Sequence, residues 1–379
     1  MKQISFLLLL LIITGLLLSG CGERDKITDP ATRVSLPAFN PPGGIYTSEQ
    51  TVSISCRTAK SIIYYTTDGS EPLESSLPYT QPVVVESDMT IKARAYKSGL
   101  EESSISYAPY LINSSALVEM VYVAGGTFNP VSFYTVTLST FFISKYEVTQ
   151  AEYLDFMGTN PAKYHGNFRR PVESVSWFDA IEFCNRLSLL EGLYPCYSYE
   201  AGGIDYGMNP DHWPAGWNLD YRNHYNVKCD WFVNGYRLPT EMEREFAARG
   251  GVPAQEAGTF QHCYAGTDKD GDLEKYGWYY KNSGGNTHPV GLKFPNELGL
   301  FDLSGNVANW CWDIGRTTNY PAGHFFDPTG PVLGTDRSAR GGGYGSTATG
   351  CRVDHHARTR SWATMKYANI GFRLVKGHP

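Results

Sequence analysis

The stretch "NGYRLPTEMEREFAARGG" (residues 234–251) sets the reading of the larger part of the chain. Thr240 followed three residues later by Glu243 is a capping box, in which each side chain satisfies a backbone N–H at a helix start. "REFAARG" continues with good helix formers, and Gly250 supplies the left-handed backbone that closes a helix. A second helix is legible over 177–190, where Trp177, Ala180, Ile181, Cys184 and Leu187 recur at helical spacing behind Ser176 as N-cap. Regular structure is otherwise sparse. The 379 residues include 39 glycines, 26 tyrosines and 8 tryptophans, a mix that suits a turn-rich fold with large loops. The length allows two or three domains.

The chain opens "MKQISFLLLLLIITGLLLSGC". One lysine, a mostly apolar run from Ile4 to Leu18, and small residues Ser19 and Gly20 ahead of Cys21 are the parts of a secretory signal. The run is short of the roughly 20 apolar residues that a membrane span needs. The order Leu18-Ser19-Gly20-Cys21 resembles the bacterial lipobox, which implies that Cys21 carries lipid and becomes the first mature residue. The membrane is then a partner through Cys21, outside the cytoplasm, with the outer membrane as the expected one. Residues 22–35 are charged and patternless, as in a tether.

Formal charge is −6 and the calculated pI about 5.9. No Lys/Arg cluster appears, which argues against nucleic acid as a partner, whose backbone requires clustered cations. Beyond Cys21 stand seven cysteines with no C-x-x-C, so a zinc knuckle is not expected. Export permits disulfides, and the odd count leaves one thiol over.

Residues 36–112 alternate short Val/Ile/Thr/Tyr-rich runs, "TVSIS", "SIIYYTT", "PVVVES" and "TIKARAY", with turn signals such as Asp68-Gly69-Ser70. That spacing predicts an antiparallel β-sandwich. "GGIYTSEQTVSI", "IYYTTDGSEP", "SSLPYTQPVVV" and "TIKARAYKSG" resemble the chitobiase/β-hexosaminidase C-terminal-like domain, which implies an accessory sandwich acting as spacer or weak glycan binder. Asp68 reads as a turn residue.

Residues 117–379 carry, in order, "NGYRLPTE-E-E-AARGG", "GL-D-GNV--W-WD" and "RGG-Y…GFR". Together these resemble the formylglycine-generating enzyme (sulfatase-modifying factor) family. The resemblance implies an α+β, loop-rich domain of the C-type-lectin-like fold following the small all-β sandwich. It also implies, in catalytic members, two cysteines about five residues apart that hold copper. In "RGGGYGSTATGC" the first of these positions is Ser346 and the second Cys351, and the serine after the glycine pair is Gly343. A hydroxyl does not replace a thiolate for Cu(I), so copper is not expected. The favoured function is a non-catalytic binding scaffold in the cell envelope. The alternative is an oxidoreductase converting a sulfatase cysteine to formylglycine, or another activity on the same scaffold.

Calcium-binding members of the family place a side-chain oxygen, two carbonyls and a carboxylate where this chain has Asp302, Gly305, Val307 and Asn309. That implies a structural Ca²⁺; a tight turn held by side-chain-to-backbone hydrogen bonds explains the same residues. Cys311 with Cys351, and Cys196 with Cys229, are the candidate disulfides. The insertion 201–226 offers Tyr206, Trp213, Trp217 and Tyr221 as stacking faces for sugar or peptide, or as pins for an ordered loop. "DKDGDLE" (268–274) reads as a solvated acidic turn, and Arg358, Arg360 and Arg373 as loop-bracing donors.

Overall fold

A computed structural model describes residues 33–41, 43–46, 49–68, 70–87, 89–112, 118–315, 321–355 and 360–377. The signal segment, Cys21 and Arg358 lie outside these residues.

The first unit is the expected pair of sheets. Ala38–Asn40, Gln50–Ser55 and Val83–Val85 form one; Gly44–Tyr46, Ser106–Ile112, Met89–Tyr96, Ile62–Thr66 and Leu77–Pro78 form the other, in that spatial order. Period-two alternation works as it should: along Met89–Tyr96 the buried residues are Ile91, Ala93 and Ala95. They meet Val52, Ile54 and Val85 of the facing sheet. One pairing departs from the antiparallel expectation. The chain crosses between the sheets after Asn40, so Gly44–Tyr46 runs parallel to Ser106–Ile112. Asp68 is the turn residue it was read as, accepting from the Ser70 backbone N–H at 2.9 Å and its hydroxyl at 2.6 Å.

In the larger unit, helices α1 (Gln150–Met157), α2 (Trp177–Leu190) and α3 (Glu241–Ala248) each begin with a complete capping box. The boxes are Thr149–Glu152, Ser176–Asp179 and Thr240–Glu243. Gly250 takes the left-handed conformation (φ 89°), but it opens a further short helix, α4 (Gly251–Ala257), instead of ending the helical run.

Strand Ala308–Ile314 runs through the middle of this unit. It pairs antiparallel with Arg337–Arg340 and parallel with Ile370–Gly371. Its Trp310 and the first residue of α2, Trp177, are wholly buried. Each indole N–H finds a carbonyl, Val175 at 3.1 Å and Cys311 at 3.0 Å, so neither ring leaves a donor unpaired in the core. Burying one large side chain of this kind is worth about 1.5–3 kcal/mol. A second core cluster packs Phe128, Phe246 and Phe260 beneath the turn Leu138–Thr140.

The insertion is anchored by its own aromatics, so of its two readings the structure favours pins for an ordered loop over stacking faces. Trp213 and Trp217 are each only 7% exposed and join the main core, with ring centroids 4.5 Å apart. Tyr206 leans on Tyr199. Tyr221 is the exception among the four, stacked on the half-exposed Trp362 at 5.0 Å.

The disulfide expectations also need correction. All seven cysteines among the described residues are free thiols. Cys311 is buried beside Glu241, Arg244 and Arg340, and Cys351 sits with Tyr264, Leu273 and Tyr279, with Arg244 as a shared neighbour. Tyr197 stands opposite Cys229, and the Asp230 N–H donates to Cys196 O at 2.8 Å. Cys196 and Cys229 are thus one register position out of step; both sulfurs stay thiols although they share Arg237 and Glu243 as neighbours.

Near the end of the insertion, His224 is 1% exposed beside Arg337, whose guanidinium donates to the His224 carbonyl. Burial, reinforced by the Arg337 charge, pushes the imidazole down to about 4 from an ordinary 6.5. The unfolded chain therefore takes up the proton first, and stability present above pH 6.5 is lost as pH falls toward 4. Chemical denaturation of wild type and His224→Leu across this range should show a difference that shrinks by roughly 2–3 kcal/mol on acidification. A pH-independent difference would show that His224 takes up its proton equally readily in the folded and unfolded chain.

Candidate binding site around Ser346

The loop 340–352 is shaped by close approach. Arg340 leaves its strand paired with the buried Glu241 at 2.7 Å. Gly341 is left-handed (φ 98°), and a Cβ there would lie 2.0 Å from Arg244 Nη2. At Gly342 (φ 66°) a Cβ would lie 2.6 Å from Gly350 O and 2.9 Å from Cys351 Sγ. A side chain fits at neither position without displacing this frame.

Ser346 closes the turn. Its Oγ accepts from the Gly343 N–H at 3.0 Å, its own N–H donates to Gly343 O at 2.8 Å, and its carbonyl accepts from the Tyr280 N–H at 2.9 Å. The hydroxyl thus holds the loop's shape. Cys351 is completely buried, and burial pushes its thiol up to about 12 despite the nearby Arg244. A thiol so far from ionising is a poor metal ligand and a poor nucleophile at neutral pH. The structure therefore places Gly343, Ser346 and Cys351 in one loop, but leaves a half-buried hydroxyl and a buried neutral thiol there.

An aromatic rim surrounds this loop, and the sequence reading had not singled it out. Tyr164 donates its hydroxyl to that of Tyr344 at 3.0 Å, and the rings meet edge to face. Tyr280 is 75% exposed. Trp278 stacks on His288 at 3.8 Å, and Lys293 Nζ stands 3.7 Å from the indole centroid. The run "GWYYKN" (277–282) was the available signal.

Directly beneath lies a buried charge network. Glu147 accepts from Asn306 Nδ2 at 2.9 Å, the Val307 N–H at 3.2 Å and Asn309 Nδ2 at 3.3 Å. Burial first, and the neighbouring Asp302 second, hold its carboxyl well above the ordinary range, against the pull of Arg373. Arg373 donates to the carbonyls of Ser144 and Phe301, both at 2.7 Å, the loop-bracing role anticipated for it.

Three of the four candidate calcium positions, Asp302, Val307 and Asn309, meet this network, while Gly305 donates its N–H to Gly341 O at 2.9 Å. Asp302, left-handed at φ 57°, accepts from the Gly291 N–H through Oδ2 and leaves Oδ1 without a hydrogen bond. That oxygen suits a cation. Val307 O, however, accepts from Asn309 Nδ2, and Asn309 Oδ1 accepts from Arg244 Nε at 3.2 Å and Arg373 Nε at 3.3 Å. Two guanidinium groups on the fourth ligand supply the positive charge that a dication would otherwise bring, and they repel one. Among the described residues, no three His, Cys, Asp or Glu side chains are placed to hold a metal. The set as it stands does not fit Ca²⁺. Thermal melts with excess calcium and with excess chelator should coincide within about 2 °C, which corresponds to about 1 kcal/mol or less for a domain of this size. A larger rise with calcium would show that the ion displaces Asn309 from the arginines.

Comparison with known proteins agrees with this geometry. The sulfatase-modifying factor enzyme 1-like domain matches residues 112–378, and the chitobiase/β-hexosaminidase C-terminal domain matches residues 41–107. The chain is 34% identical over 264 residues to a Paenibacillus barcinonensis protein called chaperone protein LppX, covering 64% of this chain and 84% of that one. It is also 34% identical over 160 residues to the formylglycine-generating enzyme of Streptomyces coelicolor, a match spanning 37% of this chain and 46% of the enzyme. Among solved structures, Treponema denticola variable protein 1 superposes with a TM-score of 0.59 at 32% identity, over 76% of this chain and 99% of that one. With the family's fold and its glycine-shaped loop both present, and 267 of its residues matched (378 − 112 + 1), the chain belongs to the sulfatase-modifying factor enzyme 1-like family.

Proposed function

We propose that this protein is a lipid-anchored binding scaffold of the cell envelope that has no formylglycine-generating activity. The observation that carries the reading is Ser346, whose Oγ is engaged by the Gly343 N–H where catalytic members have a copper-binding cysteine. The partner thiol, Cys351, is buried and held neutral. A two-thiolate Cu(I) site needs two sulfurs, and this loop supplies only the buried Cys351.

The Ser346 loop with its rim of Tyr164, Tyr280 and Tyr344 is the surface best suited to binding. Tyrosines combine a large apolar face with a hydroxyl at low entropic cost, the composition that recurs at protein-binding surfaces. The similarity to a protein named as a chaperone supports a polypeptide partner. Anchoring rests on Cys21, and among the described residues no helix is long and apolar enough to cross a membrane.

A peptide carrying the sulfatase cysteine motif, incubated with the protein, copper and oxygen, should yield no formylglycine by mass spectrometry, and Cu(I) titration should show no tight site. Turnover lost on Cys351→Ala would establish the oxidase reading instead. Separately, Cys21→Ser should move the protein from the membrane to the soluble fraction of an expressing bacterium. Retention at the membrane would place the anchor elsewhere.

A further inference from the structure

A cavity of about 510 Å³ shares no residue with the Ser346 loop. It is built where the turn Leu138–Thr140, the segment after the insertion, the start of α3 and the loop after Phe326 converge. The volume lies within the roughly 300–1,000 Å³ usual for small-ligand sites.

Its charges are already spent on one another. Arg237 makes a two-pronged pair with Glu243, at 2.7 and 2.6 Å, and both side chains are buried. Asp327 accepts from the Ser139 N–H and the Ser139 hydroxyl, each at 2.7 Å. An anionic ligand would meet two carboxylates and one committed guanidinium, so the electrostatics disfavour phosphate or carboxylate.

What remains is aromatic surface beside hydroxyls. The Trp231 ring lines the cavity together with Arg237, whose guanidinium is 5.0 Å from its centroid, and Trp312 meets it edge to face at 5.6 Å. Phe232 beside it is 98% exposed, an apolar ring held in water at the cavity's edge. Thr140 and Thr240 each accept a backbone N–H, from Gly125 at 3.2 Å and Glu243 at 3.1 Å, which leaves their O–H hydrogens to donate. Asp327 holds a left-handed backbone (φ 41°), costing about 1–3 kcal/mol for a residue with a Cβ. Strain of that size recurs at ligand sites, where surrounding contacts enforce it.

We propose that this cavity binds a neutral oligosaccharide, with a sugar ring laid against Trp231. The C–H face of a pyranose packs on an indole, and its hydroxyls exchange hydrogen bonds with threonine hydroxyls and carboxylate lone pairs. The proposal is independent of what the Ser346 loop does.

Calorimetric titration of the full chain with neutral tetrasaccharides of glucose and of N-acetylglucosamine tests it. One of the two should bind saturably at one site, with quenching or a shift of tryptophan fluorescence. Trp231→Ala should weaken that binding at least about tenfold, equivalent to about 1.4 kcal/mol. Phe232→Ala should weaken it several-fold; its exposed ring makes no demand on folding, so this variant reports even where Trp231→Ala loses stability. Failure of both saccharides to bind at millimolar concentration overturns the proposal. So does binding that both substitutions leave unchanged, since the sugar would then sit elsewhere, as on the β-sandwich.

Discussion

The guanidinium of Arg244 is the constraint around which the larger domain closes. Arg244 rises from the second turn of α3 wholly buried, donates to Leu303 O at 2.8 Å and to Asn309 Oδ1, and stands under Gly341. Burial pushes its pKa down to about 10, a measure of how costly the buried charge is to hold. Removing a guanidinium from water costs several kcal/mol unless its hydrogens are matched, and here they are matched by groups from separate segments. Helix α3, the 302–309 turn, the central strand and the glycine loop are therefore mutually fixed. Displacing one leaves a buried charge unpaired. Arg373 does the same from the C-terminal side and shares the Asn309 oxygen.

The same network accounts for how far the sequence could be read. Elements set by local rules were legible. The Thr240–Glu243 and Ser176–Asp179 boxes mark their helices, and alternation along Met89–Tyr96 marks its strand. The box at Thr149–Glu152 obeys the same rule in "VTQAE" but has only a weak apolar stripe behind it to mark a helix. Long-range pairing was not legible. Nothing local in "SKYEVTQ" tells that Glu147 meets Asn306 and Asn309, about 160 positions away. The pairing of arginines with the Asn309 oxygen is likewise a property of three segments at once.

Cysteine and tryptophan show why residue type alone misleads. Export makes disulfides chemically permissible, but Cys196 and Cys229 share a core cluster and remain free thiols. Aromatic richness in the insertion left open an exposed platform or a loop pinned by its own rings. Trp213 and Trp217 replace a hydrophobic layer that the loop could not otherwise acquire, packing on Phe178 and Tyr199. The exposed rings stand where composition gave less warning, at Phe232 and Tyr280.

The glycine-framed loop has a consequence for how this domain can change over evolutionary time. Positions 341 and 342 are closed to any side chain, while Gly345 has nothing within 4 Å of a Cβ, and Thr347 and Thr349 point their substituents into water. Frame and contents are thus separable: the contour of the loop is inherited from backbone contacts, and the chemistry it displays is replaceable one residue at a time. A lineage can lose a reaction at such a loop, or acquire a new ligand, without passing through an unfolded ancestor.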